Sequence, residues 1–230
     1  MLAIITAGIA PGIAFLSYIY LKDKYESEPI GVVIKTFIIG ALLVLPVMMI
    51  QYAFSAEHLL QGRLAQAFLL NGLLEEFLKW FIVIYTAYHH VAFSERYDGI
   101  VYTAAVSLGF ATAENVFYLF AYGIDVALWR ALLPVASHGL FGIIMGYYIG
   151  RAKFSRNKVK WLSLALFIAV VLHGVYDVFM NFRTLWLYAI VPFMLFLWWY
   201  ALRKVKQTYK DQENWYKNSG PERPTINGPF

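Results

Sequence analysis

Seven apolar stretches follow one another along this chain, at about residues 2–21, 32–54, 64–88, 99–123, 127–150, 161–182 and 185–202. Each is close to the ~20 residues that a helix needs to cross about 30 Å of hydrocarbon. Backbone polar groups at that depth must be satisfied internally, and the sequence lacks the alternating pattern of a barrel, so the stretches are predicted helices. The expected fold is all-α, a polytopic transmembrane helix bundle of seven helices, or eight if one is broken. Residues 1–202 form a single transmembrane domain. Residues 203–230 form a polar tail, expected to be loosely ordered.

Composition closes off the alternatives. Hydrophobic residues make up 60% of the 230 and charged residues 14%, against roughly 25% charged in a soluble domain. Mean hydropathy is +0.58. A soluble globule, a disordered chain and a coiled coil are excluded, and no length remains for a separate soluble domain. The chain has no cysteine, which removes disulfides, thiolate metal sites, iron–sulfur clusters and a cysteine nucleophile. The run from Leu2 to Leu21 lacks a basic flank and is too long for a cleavable signal, so it reads as the first membrane helix. No internal repeat supports an inverted-repeat transporter.

The Lys and Arg residues number nineteen, and they are unevenly placed. Fourteen fall on the side of the first, third and fifth connections and the tail, from Lys22 and Lys24 through Arg96, Arg151 and Lys153 to Arg223. Three fall on the other side, at Arg63, Arg130 and Arg183, while Lys35 sits near the start of the second segment and Lys79 inside the third. This asymmetry predicts an outside N-terminus and a cytoplasmic C-terminus. It also accounts for the net charge of +5 without nucleic acid.

Ionisable groups at membrane depth cost about 2.5–3.5 kcal/mol each on insertion scales, so each one is a functional candidate. They are Glu75, Glu76 and Lys79 in the third segment, Glu114 in the fourth, His138 in the fifth, and His173 and Asp177 in the sixth. Glu75 and Lys79 are four apart and can pair, as can His173 and Asp177. Thr103, Ser107, Phe110 and Glu114 fall on one helical stripe turned to the bundle interior. At about 1.5 Å rise per residue, Glu75 lies roughly 16 Å, Glu114, His138 and His173 roughly 12–13 Å, and Asp177 roughly 8 Å below the outer ends of their segments. All therefore fall in one slab of the outer half. Other features have plainer readings. Lys79 can serve as a counter-charge alone, and His138 as an interhelical hydrogen-bonding residue. Asp125, Glu95, Asp98, His89 and His90 are expected in loops and solvated. Gly142, Gly146 and Gly150 form a row suited to close helix packing.

Such a set suits general acid–base chemistry. A carboxylate can take a proton from water and return it to a leaving amine, while a histidine stabilises the developing oxyanion. The outcome is peptide hydrolysis by activated water. No G-x-S-x-G and no H-E-x-x-H occurs, and Ser137 and His138, as helix neighbours, point about 100° apart. No cofactor site or metal ligand is assigned. A metal held by Glu and His from several helices stays open, as in carboxylate-bridged bundles. Two rival classes are a proton-coupled transporter or channel using Glu75, Lys79 and Glu114 as a relay, and a non-catalytic partner or sensor.

These residues also carry a resemblance. Glu75-Glu76-Phe77-Leu78-Lys79 resembles the first motif of the PrsW family, within the superfamily of CAAX prenyl proteases and bacteriocin-processing enzymes. Phe110-Ala111-Thr112-Ala113-Glu114-Asn115 resembles the second motif, His138 falls at a further motif histidine, and His173-Gly174-Val175-Tyr176-Asp177 resembles the last. The resemblance implies a membrane-embedded protease that makes the first, site-1 cut in a single-pass anti-sigma factor, RsiW, on the extracytoplasmic side. That cut leads to sigma factor release under envelope stress. It implies Glu75 as the water-activating base, Glu76 and Lys79 as electrostatic support, and Glu114 as a second ligand of the water. His173 with Asp177 would form the oxyanion side, with His138 nearby.

Overall fold

Two helices in the middle of the chain supply most of the core, and the others pack round them. The computed structural model describes residues 1–24, 26–182 and 186–219. In chain order they form α1 (Leu2–Leu21), α2 (Ile30–Ala56), α3 (63–88), α4 (Asp98–Tyr122), α5 (Ile124–Lys153), α6 (Lys158–Met180) and α7 (Trp186–Ser219), with no strand among the described residues. All but α3 are long and apolar enough to cross a membrane. In the most apolar stretch of each helix, 89% of α5 and 61% of α4 is buried, against 22% to 33% for α1, α2, α6 and α7. The outer helices turn Ile34, Ile38 and Met49 of α2, and Tyr188, Val191 and Leu195 of α7, away from the protein. Those faces suit contact with lipid tails.

Small residues let α4 and α5 touch. A Cβ on Gly146 would stand 2.3 Å from the Gly99 carbonyl oxygen, and one on Gly150 would stand 2.1 Å from that of Arg96. Neither position admits a side chain at this separation, so the glycine row is a packing seam. Along α4, Thr103, Ser107 and Phe110 are all buried, so the stripe does face the interior.

Backbone irregularities shape the helices next to this core. The α2 helix is interrupted at Leu43, between Ile30–Leu42 and Val44–Ala56. Pro46 explains the break, because its ring crowds the carbonyl four residues back and it has no N–H to donate. The α3 helix is wound wide over Gln66–Leu73, regular over Leu74–Val83, and wide again over Ile84–Tyr88. The first wide stretch packs on α6 and ends just before Glu75. Such π-type turns often occur at functional sites.

Two expectations are corrected. Residues 203–219 are not loosely ordered but continue α7 as helix. The Tyr209 ring stacks on Tyr97 with centroids 5.2 Å apart, its hydroxyl donates to the Lys22 carbonyl, and Tyr216 donates to Glu95. Tyrosines spaced along a polar helix thus bind it to the connections before α2 and α4. Glu95 and Asp98 are not solvated: they are 3% and 0% exposed. The Asp98 carboxylate accepts from the backbone N–H of Ser94 at 2.7 Å and of Glu95 at 2.6 Å, which ties the connection before α4 to the first residue of the helix. Asp125, His89 and His90 are exposed, as expected. Arg183, Arg223, Gly220-Pro221 and Gly228-Pro229 lie outside the described residues.

Candidate active site

Four helices converge on one buried polar cluster. Its hub is Lys79 on α3, fully buried, whose ammonium donates to Glu76 Oε1 at 2.8 Å, to Glu75 Oε2 at 3.3 Å and to His138 Nδ1 at 3.1 Å. It also lies 4.1 Å from the centre of the Phe110 ring. The helical spacing of three and four turns both glutamates towards the lysine. An ammonium has no acceptor, so His138 Nδ1 must be the unprotonated nitrogen and the ring proton sits on Nε2. That Nε2 faces Glu114 Oε2 at 3.5 Å and Glu75 Oε2 at 4.0 Å.

His173 on α6 approaches from the other side. Its Nδ1 lies 3.0 Å from Glu76 Oε1, close enough to donate to it. Its Nε2 lies 3.7 Å from Asp177 Oδ1. The spacing of four made Asp177 the expected partner, but the tighter contact comes from Glu76 across the helix interface. Glu76 Oε1 therefore receives both Lys79 and His173, while its Oε2 is buried without a hydrogen-bond partner among the described residues.

The two glutamates differ in access. Glu75, Glu114, His138, His173 and Asp177 line a cavity of about 270 Å³, whereas Glu76 and Lys79 lie behind it. Glu75 Oε1 accepts from Gln51 Nε2 at 3.2 Å, and its Oε2 is held by Lys79. All seven residues singled out from the sequence thus belong to one cluster, Glu76 and Lys79 as its floor and the other five at the cavity. One and two turns beyond Lys79 on α3, Val83 and Ala87 are fully buried and apolar.

Three further residues complete the site. Asn71, one turn before Glu75, donates to Asp177 Oδ2 at 2.7 Å. Gln51 on α2 bridges Asn71 and Glu75. Arg130, counted from the sequence only among the outer-side charges, is 9% exposed and pairs with Glu114 at 3.5 Å while donating to Asn115 at 3.0 Å. The available signal for the amides was their position inside apolar stretches, where an uncharged polar side chain also needs a partner.

Charge is closely balanced. Glu75, Glu76, Glu114 and Asp177 face two permanent cations, Lys79 and Arg130. A neutral cluster holds two further protons, to be shared among carboxyls and imidazoles. A buried site with mobile protons beside a cavity is equipped for acid–base work.

Comparison with known proteins agrees with this chemistry. The model of a family described as PrsW family intramembrane metalloprotease matches residues 28–202. The chain is 53% identical to Protease PrsW of Bacillus subtilis (strain 168) over 209 residues, covering 90% of this chain and 96% of that protein. It is 54% identical to Protease PrsW of Geobacillus kaustophilus (strain HTA426) over 208 residues, covering 90% and 92%. It is 33% identical to Protease PrsW of Clostridioides difficile (strain 630) over 210 residues, covering 86% and 88%. No solved structure matches it.

The family description raises the question of a metal. Zinc-type ions take nitrogen and oxygen ligands, and Glu75, Glu76, His138 and His173 offer buried ligand atoms all within 4.8 Å of one another. The donor types fit, but the space between them is taken. The Lys79 Nζ stands within hydrogen-bonding distance of three of the four groups. An ion bonded to them at about 2.0–2.2 Å would press against that ammonium, cation against cation. In this arrangement the central cation is the chain's own lysine.

Proposed function

The chain belongs to the PrsW family of multi-pass membrane proteases, and on that premise we propose that it makes the site-1 cut in the single-pass anti-sigma factor RsiW by water activated at Glu75. The observation that carries this reading is the division between the glutamates. Glu75 alone of the pair reaches the cavity, and Lys79 and Gln51 fix its orientation.

The steps follow from the donors and acceptors at hand. A water in the cavity donates to Glu75 and is oriented by His138 Nε2–H, with Glu114 beyond. Glu75 takes its proton as the water oxygen bonds to the peptide carbonyl carbon, and the carbonyl electron pair moves to the oxygen. His173, between the carboxyls of Glu76 and Asp177, presents Nε2–H to that oxyanion when both ring nitrogens carry protons. Asp177, tied to Asn71, orients the ring. The oxyanion then collapses, the carbon–nitrogen bond breaks, and Glu75 returns the proton to the leaving amine. No step passes through a metal.

The side of cleavage rests on topology. The cavity lies between Arg130 and Pro134 near the start of α5, Met180 at the end of α6, and Glu114 in the last third of α4. That end of the bundle carries few Lys and Arg residues, so it is the extracytoplasmic one and the far end of α7 is cytoplasmic. RsiW tagged at both ends, co-expressed with the wild type, tests this. The fragment left in the membrane should begin on the extracytoplasmic side of the RsiW helix. A cut on the cytoplasmic side overturns the assigned orientation, and an intact substrate overturns its identity.

A further inference from the structure

The opposite end of the bundle holds a second polar cavity that the protease chemistry does not use. It has a volume of about 360 Å³ and lies where α5 ends, α6 begins and the α7 extension passes over both. Two guanidiniums line it, those of Arg96 and Arg151, with a single acid, Asp211, also on its wall. Each is backed by an aromatic ring: Arg151 lies 4.2 Å from the Trp161 ring centre and Arg96 lies 5.5 Å from that of Phe154. Their hydrogen bonds go to neutral oxygens, Arg96 to the Asp211 carbonyl at 3.2 Å and Arg151 to the Tyr147 hydroxyl at 2.9 Å. Among the described residues neither guanidinium forms an ion pair with a carboxylate.

Two half-buried, stacked cations face one acid, Asp211, with which neither forms an ion pair, so the cavity keeps one positive charge in excess. An arginine presents five N–H donors, and one side-chain hydrogen bond each leaves further donors on both guanidiniums. Burial pushes the Arg96 guanidinium below the usual arginine range, with Asp211 opposing and Arg151 reinforcing the shift. Neutral donors stand at the rim. Ser155 Oγ already accepts from the Trp161 indole at 3.1 Å, which leaves its hydroxyl hydrogen to donate, and the Asn214 side chain is exposed beside it.

We propose that this cavity is a binding site for a phosphate group, gripped by the forks of Arg96 and Arg151 with Ser155 and Asn214 at its edge. Planar forks on stacked guanidiniums match phosphate oxygens in pairs. The site lies at the ends of membrane helices with Trp161 at its wall, which is headgroup depth. The phosphate can therefore belong to an anionic phospholipid or to a free anion, and the binding chemistry is the same. A bound phosphate would join α5 and α6 to the α7 extension.

The test uses the purified full chain in non-ionic detergent, titrated calorimetrically with dihexanoyl phosphatidylglycerol, dihexanoyl phosphatidylcholine and inorganic phosphate. The expected result is saturable binding of phosphatidylglycerol, of inorganic phosphate, or of both, and weaker binding of phosphatidylcholine. Binding of phosphatidylglycerol alone identifies a lipid headgroup as the source; binding of inorganic phosphate identifies a free anion. Arg96→Gln with Arg151→Gln should weaken binding at least tenfold. Asn214→Asp, at an exposed position that leaves the packing intact, should do the same by adding a second carboxylate to that of Asp211, which cancels the excess positive charge. It keeps the test decisive if the arginine variant does not fold. No binding by any probe, or equal binding by wild type and Asn214→Asp, overturns the proposal.

Discussion

The Lys79 ammonium donates to His138 Nδ1 across 3.1 Å, and that contact dictates which nitrogen of the ring faces the cavity. The same ammonium offsets two buried carboxylates. Lys79→Met should therefore do two things. It leaves Glu76 buried without its main counter-charge, which costs about 3–5 kcal/mol when one partner of a buried pair is removed. It also releases the His138 tautomer. The expected outcome is a lowered melting temperature together with loss of cleavage. A variant that melts like the wild type shows that the ammonium is not the counter-charge of this cluster.

The place of Lys79 among the four ligand-type residues has a metal-related consequence. EDTA or 1,10-phenanthroline should leave the wild-type cleavage rate unchanged. Lys79→Ala vacates the centre of the cluster, and that variant should retain zinc through purification where the wild type does not. Metal analysis checks this directly. Inhibition of the wild type by chelators, reversed by added zinc, would contradict the assignment of lysine as the central cation.

Asn71 holds Asp177 at 2.7 Å, and through it the position of His173. Loss of a hydrogen bond to a charged group is worth about 1.5–3 kcal/mol. Asn71→Ala should lower the cleavage rate about tenfold or more, while Asn71→Asp, placing a second carboxyl beside Asp177, should lower it further. The melting temperature of Asn71→Ala should fall less than that of Lys79→Met, since Asn71 sits at the cavity and leaves no buried charge without its main counter-charge. Unchanged cleavage would remove Asn71 from the positioning of His173.

How far the sequence led can be judged from these residues. The helices were legible because apolar run length alone marks a membrane crossing. The cluster was legible because ionisable residues inside such runs are few. The wide turns of α3 were not, because a change of helical winding leaves composition untouched, whereas the break at Leu43 had a signal in Pro46 that the length of the apolar run masked. The helical end of α7 was missed because its polar sequence hides the tyrosines that bind to Lys22 and Glu95, distant in the chain. His173 shows the limit of spacing rules most clearly. Asp177 lies four residues away on the same helix, yet Glu76 from another helix comes closer, at 3.0 Å against 3.7 Å.

The connection before α2 contains a pH-sensitive group. Glu28 is buried, its carbonyl accepts from Tyr20 at 2.8 Å, and its carboxyl accepts from Tyr102. Burial pushes its carboxyl up from 4.5 to about 7, against the opposing hydrogen bonds of Asp98 and Tyr102. A raised value means that the folded protein binds the proton more tightly than the unfolded chain. Its contribution to stability is full below about pH 4.5 and is lost as pH rises to about 7. The melting temperature in detergent should fall over that interval, and Glu28→Gln should flatten the fall. Parallel profiles for the two proteins would show that Glu28 does not titrate there.

Glu75 as the base is the centre of the account, and one comparison tests it most directly: cleavage of tagged RsiW in membranes by the wild type and by Glu75→Gln at equal protein level. Glutamine keeps the size of the side chain and its bond to Lys79 while removing the basic oxygen. The wild type should trim the extracytoplasmic part of the substrate, and Glu75→Gln should be slower by a factor of about 100 or more. Equal cutting by the two proteins would contradict the account and leave Glu75 a structural member of the Lys79 cluster.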